Sequence, residues 1–266
     1  AVLTVLGAMS LASRSGWPGA AVVWATIAGV AMAVGAGGAL NCFIEREIDS
    51  RMTRTANRPL PAGRMRPVEA LIFGTALWVT SYFVLYHFVN PPTAFLTMLA
   101  FGSYVGVYTP LKTRTPLCTW VGAVPGAMPP LIGWTAARGH IEFSGMLLFA
   151  IMFLWQIPHF LAIALLRKEE YARAGMPMLP VVKGDRAALT HILWHTAALV
   201  AVSLLPYKIL GAGGIYLFLA LCLGAGFLFL SIRGFFRKAE ASWCGTLFFY
   251  SIIYVVILFS ALVFDS

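Results

Sequence analysis

Residues 143–165 read FSGMLLFAIMFLWQIPHFLAIAL, and the fold class turns on how this stretch is taken. It contains no Asp, Glu, Lys or Arg. About 20 such residues wound as a helix cross a hydrocarbon core about 30 Å thick. Only helices and closed barrels satisfy backbone polar groups in lipid, and the stretch lacks the strict two-residue alternation of a barrel strand. It is therefore read as a transmembrane helix. Working outward, comparable runs fall at residues 20–42, 67–88, 92–108, 116–137, 187–205, 211–232 and 244–264. The chain also opens inside an apolar run, residues 1–12, too short to span and without an initiator Met, which is expected to be a helix that has lost its start. The expectation is an all-α, polytopic membrane bundle of about nine transmembrane helices, the first truncated, forming one domain over residues 1–266.

Composition agrees. Of the 266 residues, 60% are hydrophobic and 11% charged, against about a quarter charged in soluble proteins. Cytoplasmic loops retain Lys and Arg. If the loop after the second helix is cytoplasmic and the sides alternate, all 19 basic residues except Arg14, Arg138 and Lys208 fall on that side. The net charge of +9 is then mostly topology, with anionic lipid and an anionic substrate as partners rather than nucleic acid. The cysteines Cys42, Cys118, Cys222 and Cys244 show no CxxC spacing and read as small buried apolar side chains.

The acids carry more information, because all ten except Glu142 and Asp265 fall on the same side as the cations. Residues 41–49 read NCFIEREID. Asn41, Glu45 and Asp49 are spaced by four, so on a helix they share one face with about 6 Å of rise per step. Carboxylates at the edge of a bilayer are costly to desolvate unless paired or metal-bound, and this donor set suits Mg²⁺, which completes its shell with water and phosphate. The plainer reading, Glu47 and Asp49 paired with nearby arginines at a solvated helix end, stands beside it. Residues 51–64, RMTRTANRPLPAGR, follow directly. Pro59 disfavours helix at Arg58, so the helix should end here in a turn rich in guanidinium groups, which match phosphate oxygens. Two further loops, YTPLKTR at residues 108–114 and RKEEY at 167–171, mix Tyr, cations and acids and taken singly read as interfacial anchoring.

Together, Asn41, Glu45, Asp49, Arg54-Thr55 and residues 57–63 (NRPLPAG) resemble the UbiA superfamily of intramembrane prenyltransferases, and Tyr108 with Lys112 resembles its Tyr-x-x-x-Lys element. Residues 108–112 (YTPLK), 119–134 (TWVGAVPGAMPPLIGW), 155–160 (WQIPHF) and 171–182 (YARAGMPMLPVV) are similar to its haem-farnesylating branch. The likeness runs to about Gly184, beyond which only hydropathy and helix number agree. Glu45 stands where the superfamily most often has Asp. Arg167 and Tyr171 occupy the acid positions of its second Asp-x-x-x-Asp motif, with Glu170-Tyr171 resembling the Asp-Tyr pair of the haem branch.

The resemblance implies transfer of farnesyl from farnesyl diphosphate to a vinyl group of haem b, with Mg²⁺ as cofactor, in a bacterial cytoplasmic membrane with the site facing the cytoplasm. It implies Asn41, Glu45 and Asp49 as metal ligands, with Glu170 as an added ligand at a second position. Arg54, Arg58, Lys112, Arg114 and Lys168 would bind diphosphate, and Asn41, Glu45, Asp49 and Lys112 form the catalytic set. His159, with Trp155, would contact haem: it lies eight residues before Arg167, about 12 Å along a helix, and an ionisable group in an apolar helix is a functional candidate. The alternative for His159 is a neutral ring bonded to a carbonyl freed by Pro158. Phe43, Tyr108, Trp134 and Trp155 are candidates to face an allylic cation, while His191 and His195 read as interfacial. Membrane lipid, a second copy of the chain or haem A synthase are the remaining expected partners. Rival functions are prenyl transfer to a quinone-precursor ring, secondary transport of an anion, and haem carriage without catalysis.

Overall fold

A computed structural model describes every residue except 14, 15, 53, 54, 238 and 266. Its described residues form helices and no strand: α1 (Val2–Ala12), α2 (Ala20–Asp49), α3 (Pro67–Phe88), α4 (Pro91–Leu111), α5 (Cys118–Arg138), α6 (Phe143–Leu166), α7 (Lys168–Arg173), α8 (Leu179–Ile209), α9 (Gly214–Phe236) and α10 (Ala241–Phe264). Seven of them (α2, α3, α4, α6, α8, α9 and α10) are long and apolar enough to cross a membrane. The expected count of about nine is thus met by seven on length and composition. Helix α5 has the length, but Pro125, Pro129 and Pro130 lie inside it, and α1 has only 11 residues. Large apolar side chains such as Trp24, Phe73, Phe83, Phe218 and Phe229 face outward, as an integral multi-pass membrane protein requires.

Local signals set the helix ends. Pro67 opens α3, where Glu69 accepts from the Arg66 backbone N–H at 2.9 Å, satisfying a donor that the helix itself leaves free. Pro91 opens α4 behind Asn90, whose side chain accepts from Thr93 N–H at 2.9 Å. Gly139, at φ 80°, closes α5 in the left-handed conformation that glycine adopts without strain. Helix α8 is interrupted at Gly184, which has non-helical backbone angles.

Two features of the fold place polar groups together. With 30 residues, α2 is about 45 Å long, more than a hydrocarbon core of about 30 Å can cover, so one end must project. In α4 the helix widens into a π turn over Ser103–Tyr108. Pro110 has no N–H to give, and the ladder shifts, with the Thr109 N–H and hydroxyl both donating to the Tyr104 carbonyl. Below the loops at this end, Met52, Cys118, Tyr171, Met176 and Met178 form a buried cluster against Ile48, Tyr108 and Leu111. This cluster brings the end of α2, the α4–α5 turn and α7 to one place.

Candidate active site

The face predicted on α2 is real and turned inward. Asn41, Glu45 and Asp49 are 7%, 2% and 2% exposed, which no solvated helix end would show. Each has a partner from another segment. Asn41 Nδ2 donates to Thr109 Oγ1 at 3.1 Å, Lys112 Nζ donates to Glu45 Oε2 at 3.0 Å, and Arg58 donates to Asp49 Oδ2 at 2.6 Å. Thr55 Oγ1 donates to the Asp49 carbonyl at 2.9 Å, closing the turn that returns Arg58 over the helix end. The plainer reading therefore holds for the Asp49 ion pair, yet its carboxylate is buried while Arg58 stays partly exposed. Burial opposes the charge on Arg58, but the hydrogen bond and Coulomb attraction of Asp49 outweigh it and hold the guanidinium above the usual arginine value.

Metal chemistry can be tested against this donor set. Glu45 Oε1 is buried and has no hydrogen-bond partner among the described residues, a costly state for a carboxylate oxygen unless something charged meets it. Asn41 spends its amide N–H on Thr109 and so keeps its carbonyl oxygen for a cation. Two carboxylates and one amide oxygen fit Mg²⁺ that keeps several waters and takes substrate phosphate. Among the described residues, no three His, Cys, Asp or Glu side chains gather closely enough to hold an ion without such help.

The remaining expected residues divide. Glu170 does not join Glu45 and Asp49 in one three-acid group; it pairs with Arg167 at 3.1 Å, and its Oε1 is buried without a partner. Lys168 is engaged by Asp185 at 2.7 Å, Arg114 is exposed, and Arg54 lies outside the described residues. Two of the four aromatic candidates are elsewhere than expected. Trp134 donates to Glu142 at the opposite end of α5, and Phe43 lies under the Arg46 guanidinium at 5.0 Å. His191 and His195 are tied up rather than free: His195 accepts from Trp120 at 3.0 Å through Nε2 and bonds the His191 carbonyl through Nδ1. Cys222 is exposed on its helix, not buried.

An apolar cavity of about 1030 Å³ extends from Tyr104 and Tyr108 down between α1, α2, α4, α5, α6 and α10. The π turn stacks those two rings, centroids 5.5 Å apart, on the cavity side. A second cavity of about 390 Å³ holds Lys112, Arg167, Cys118 and Met178, and Tyr108, Gly122 and Phe160 line both. Gly122 is required: a Cβ there would lie 2.6 Å from the Tyr108 ring. A buried carboxylate face met by two cations, beginning one turn along α2 from the Gly37 and Gly38 wall of a long apolar chamber, can hold a lipid diphosphate by its head with its tail out of water. The UbiA prenyltransferase family matches residues 1–253.

The chain belongs to the UbiA prenyltransferase family. It is 47% identical over 264 residues to the protoheme IX farnesyltransferase of Myxococcus xanthus, covering 99% of this chain and 89% of that one. In structure it is similar to a digeranylgeranylglyceryl phosphate synthase, at TM-score 0.84 and 18% identity, over 99% of this chain and 93% of that one. It is also similar to a UbiA homologue from Archaeoglobus fulgidus bound to DMAPP and Mg²⁺, at TM-score 0.64 and 15% identity, over 98% and 94%. Family membership makes the chain a prenyltransferase. Sequence reasoning gave no role to Thr109 or Thr55, which it met only within the resemblance, and passed over Tyr104, as well as Phe248 and Ser251 on α10. The only advance signal for the first of these was Pro110, which forces the helix ladder to rearrange beside it.

Proposed function

We propose that this UbiA-family chain is a haem O synthase, transferring farnesyl from farnesyl diphosphate to a vinyl group of haem b and releasing diphosphate. The observation that carries the reading is the buried trio Asn41, Glu45 and Asp49 paired with Thr109, Lys112 and Arg58, on the helix whose Gly37 and Gly38 line the apolar cavity. The choice of haem over a quinone ring is supported by 47% identity to a protoheme IX farnesyltransferase over nearly the whole chain. Transport of an anion is not favoured, since the charged partners gather at one end of the bundle rather than midway along it.

Asn41, Glu45 and Asp49 would hold Mg²⁺, which when bound supplies positive charge to a diphosphate leaving group. Lys112 and Arg58 exchange their carboxylate partners for phosphate oxygens as the head group arrives, so the cations are positioned before charge builds on the leaving group. The allylic C–O bond breaks with its electron pair going to diphosphate, the vinyl π pair forms the new C–C bond, and the cation left on the vinyl carbon beside the porphyrin is quenched by water, which loses a proton and leaves a hydroxyl. The cavity's apolar walls keep water from the farnesyl cation until then, with the Tyr104 and Tyr108 rings beside it. Arg54, Arg114 and Lys168 would add positive charge that attracts the diphosphate. Trp155 and His159 serve the haem, from the same stretch of α6. The site faces the cytoplasm, a reading supported by the excess of Lys and Arg in the loops at that end of the bundle.

The test is direct. Purified protein with haem b, farnesyl diphosphate and Mg²⁺ should yield a heavier haem by mass spectrometry, and a chelator should abolish it. No heavier haem under those conditions, with product from a quinone-precursor ring instead, would move the chain to another branch of the family.

A further inference from the structure

We propose that Ser251, on α10, is a positioning residue for haem, holding His159 in the tautomer that offers an unprotonated Nε2 to iron and anchoring Trp155 beside it. The proposal rests on the haem reading above and adds the atoms that arrange the acceptor.

Ser251 is fully buried and takes part in three contacts. Its Oγ donates to the Phe248 carbonyl at 2.6 Å, its Oγ lies 2.7 Å from His159 Nδ1, and its own carbonyl accepts from Trp155 Nε1 at 2.6 Å. A hydroxyl has one proton. Once that proton is given to Phe248, the oxygen can only accept from His159, so the imidazole proton sits on Nδ1. A neutral imidazole then carries its lone pair on Nε2. Among the described residues, Nε2 has no hydrogen-bond partner and His159 has no carboxylate partner. The carbonyl freed by Pro158 is not what holds this ring, which removes the plain alternative. Histidines that ligate metals usually donate the other N–H to an oxygen that fixes tautomer and orientation, and Ser251 supplies that oxygen.

Packing prevents the ring from swivelling. Trp155 and Phe248 sandwich it, both with centroids at 4.8 Å and with interplanar angles of 24° and 28°. Trp155 lines the larger cavity, Phe248 the smaller, and the neighbouring Phe160 lines both. His159 itself lines neither cavity; it is held at the seam of α6 and α10 between Trp155, on the wall of the larger chamber, and Phe248, on the wall of the smaller.

The experiment uses the full chain in detergent with haem b alone, read by absorption and resonance Raman spectra. The wild type should show a histidine-ligated iron. His159→Gly should lose that signature and regain it with added imidazole. Ser251→Ala should lower haem affinity about 10- to 100-fold and shift the iron–histidine band without lowering the melting temperature comparably, while Ser251→Thr, which keeps the hydroxyl, should restore both. A Ser251→Ala protein with wild-type spectrum and affinity overturns the proposal, as does a His159→Gly protein that keeps the signature. If either happens while the wild type still makes the heavier haem, only this inference falls. If the wild type takes up no haem and makes no product, the haem reading falls with it.

Discussion

Replacing Lys112 with methionine removes the cation that faces Glu45 at 3.0 Å while keeping the length of the side chain. The two side chains are 18% and 3% exposed, so the pair is shielded from water and cannot be dismissed as a surface ion pair. Removing one partner of a buried pair costs about 3–5 kcal/mol, because the other charge is left uncompensated, and here Glu45 already has one oxygen without a partner. At roughly 2–4 °C per kcal/mol for chains near this size, the lower figure predicts a fall in melting temperature of roughly 6–12 °C. The double variant Lys112→Met with Glu45→Leu should regain most of that loss, since packed apolar groups replace a buried pair at little or no net cost. Both variants should lose farnesyl transfer, by about 10²- to 10³-fold for the loss of one preorganised donor. Thermal unfolding in detergent followed by tryptophan fluorescence measures the first effect, and product formation measures the second. If the single variant melts within about 2 °C of wild type, or the double melts no higher than the single, the picture of a self-neutralised metal site is wrong.

Thr109→Val should leave the bundle folded but free the Asn41 amide, weakening Mg²⁺-dependent diphosphate binding about 10- to 100-fold, measurable by calorimetry with a non-hydrolysable farnesyl analogue. Gly122→Val would push Tyr108 out of its place between the two cavities and should lower kcat well beyond any change in melting temperature. At the other end of the molecule, the Trp134 indole N–H, with Arg138 and His140, holds Glu142 below its ordinary carboxylate value of 4.5. A lowered carboxylate stabilises the fold above the unfolded value and loses that contribution as pH falls through the folded one. The melting temperatures of wild type and Glu142→Gln should therefore differ near neutral pH and converge as pH drops below 4.5; a constant gap would remove Glu142 from the account.

How much was legible beforehand depended on whether a residue's role lay in its own helix. The four-residue spacing of Asn41, Glu45 and Asp49 is a property of α2 alone, and the ligand face could be read from it. The turn carrying Arg58 was legible only in outline: Pro59 disfavours helix at Arg58, but α2 already ends at Asp49, and the return of Arg58 onto that carboxylate depends on the loop between them. Thr109 was not, since its part depends on the π turn and on which helix lies across from it. Trp134 and Trp155 look alike as apolar-helix aromatics, yet α5 carries one to the far end while α6 puts the other on the cavity. Ser251 is one of four small hydroxyl residues in α10, with Ser242, Thr246 and Ser260, a type that in apolar helices commonly serves packing; only the arrival of His159 from α6 gives it a proton to accept.

The widened turn at Ser103–Tyr108 makes the distance between the lysine and its carboxylate sensitive to chain length. Wound regularly with every residue kept, or given one more residue between the turn and Lys112, α4 would rotate everything beyond by about 100°, carrying the Lys112 ammonium off the α2 face. Helices that merely fill a bilayer tolerate such slips as a change of which residues meet lipid. This one does not, so its residue count between Tyr104 and Lys112 is as strict a requirement as the identity of either residue.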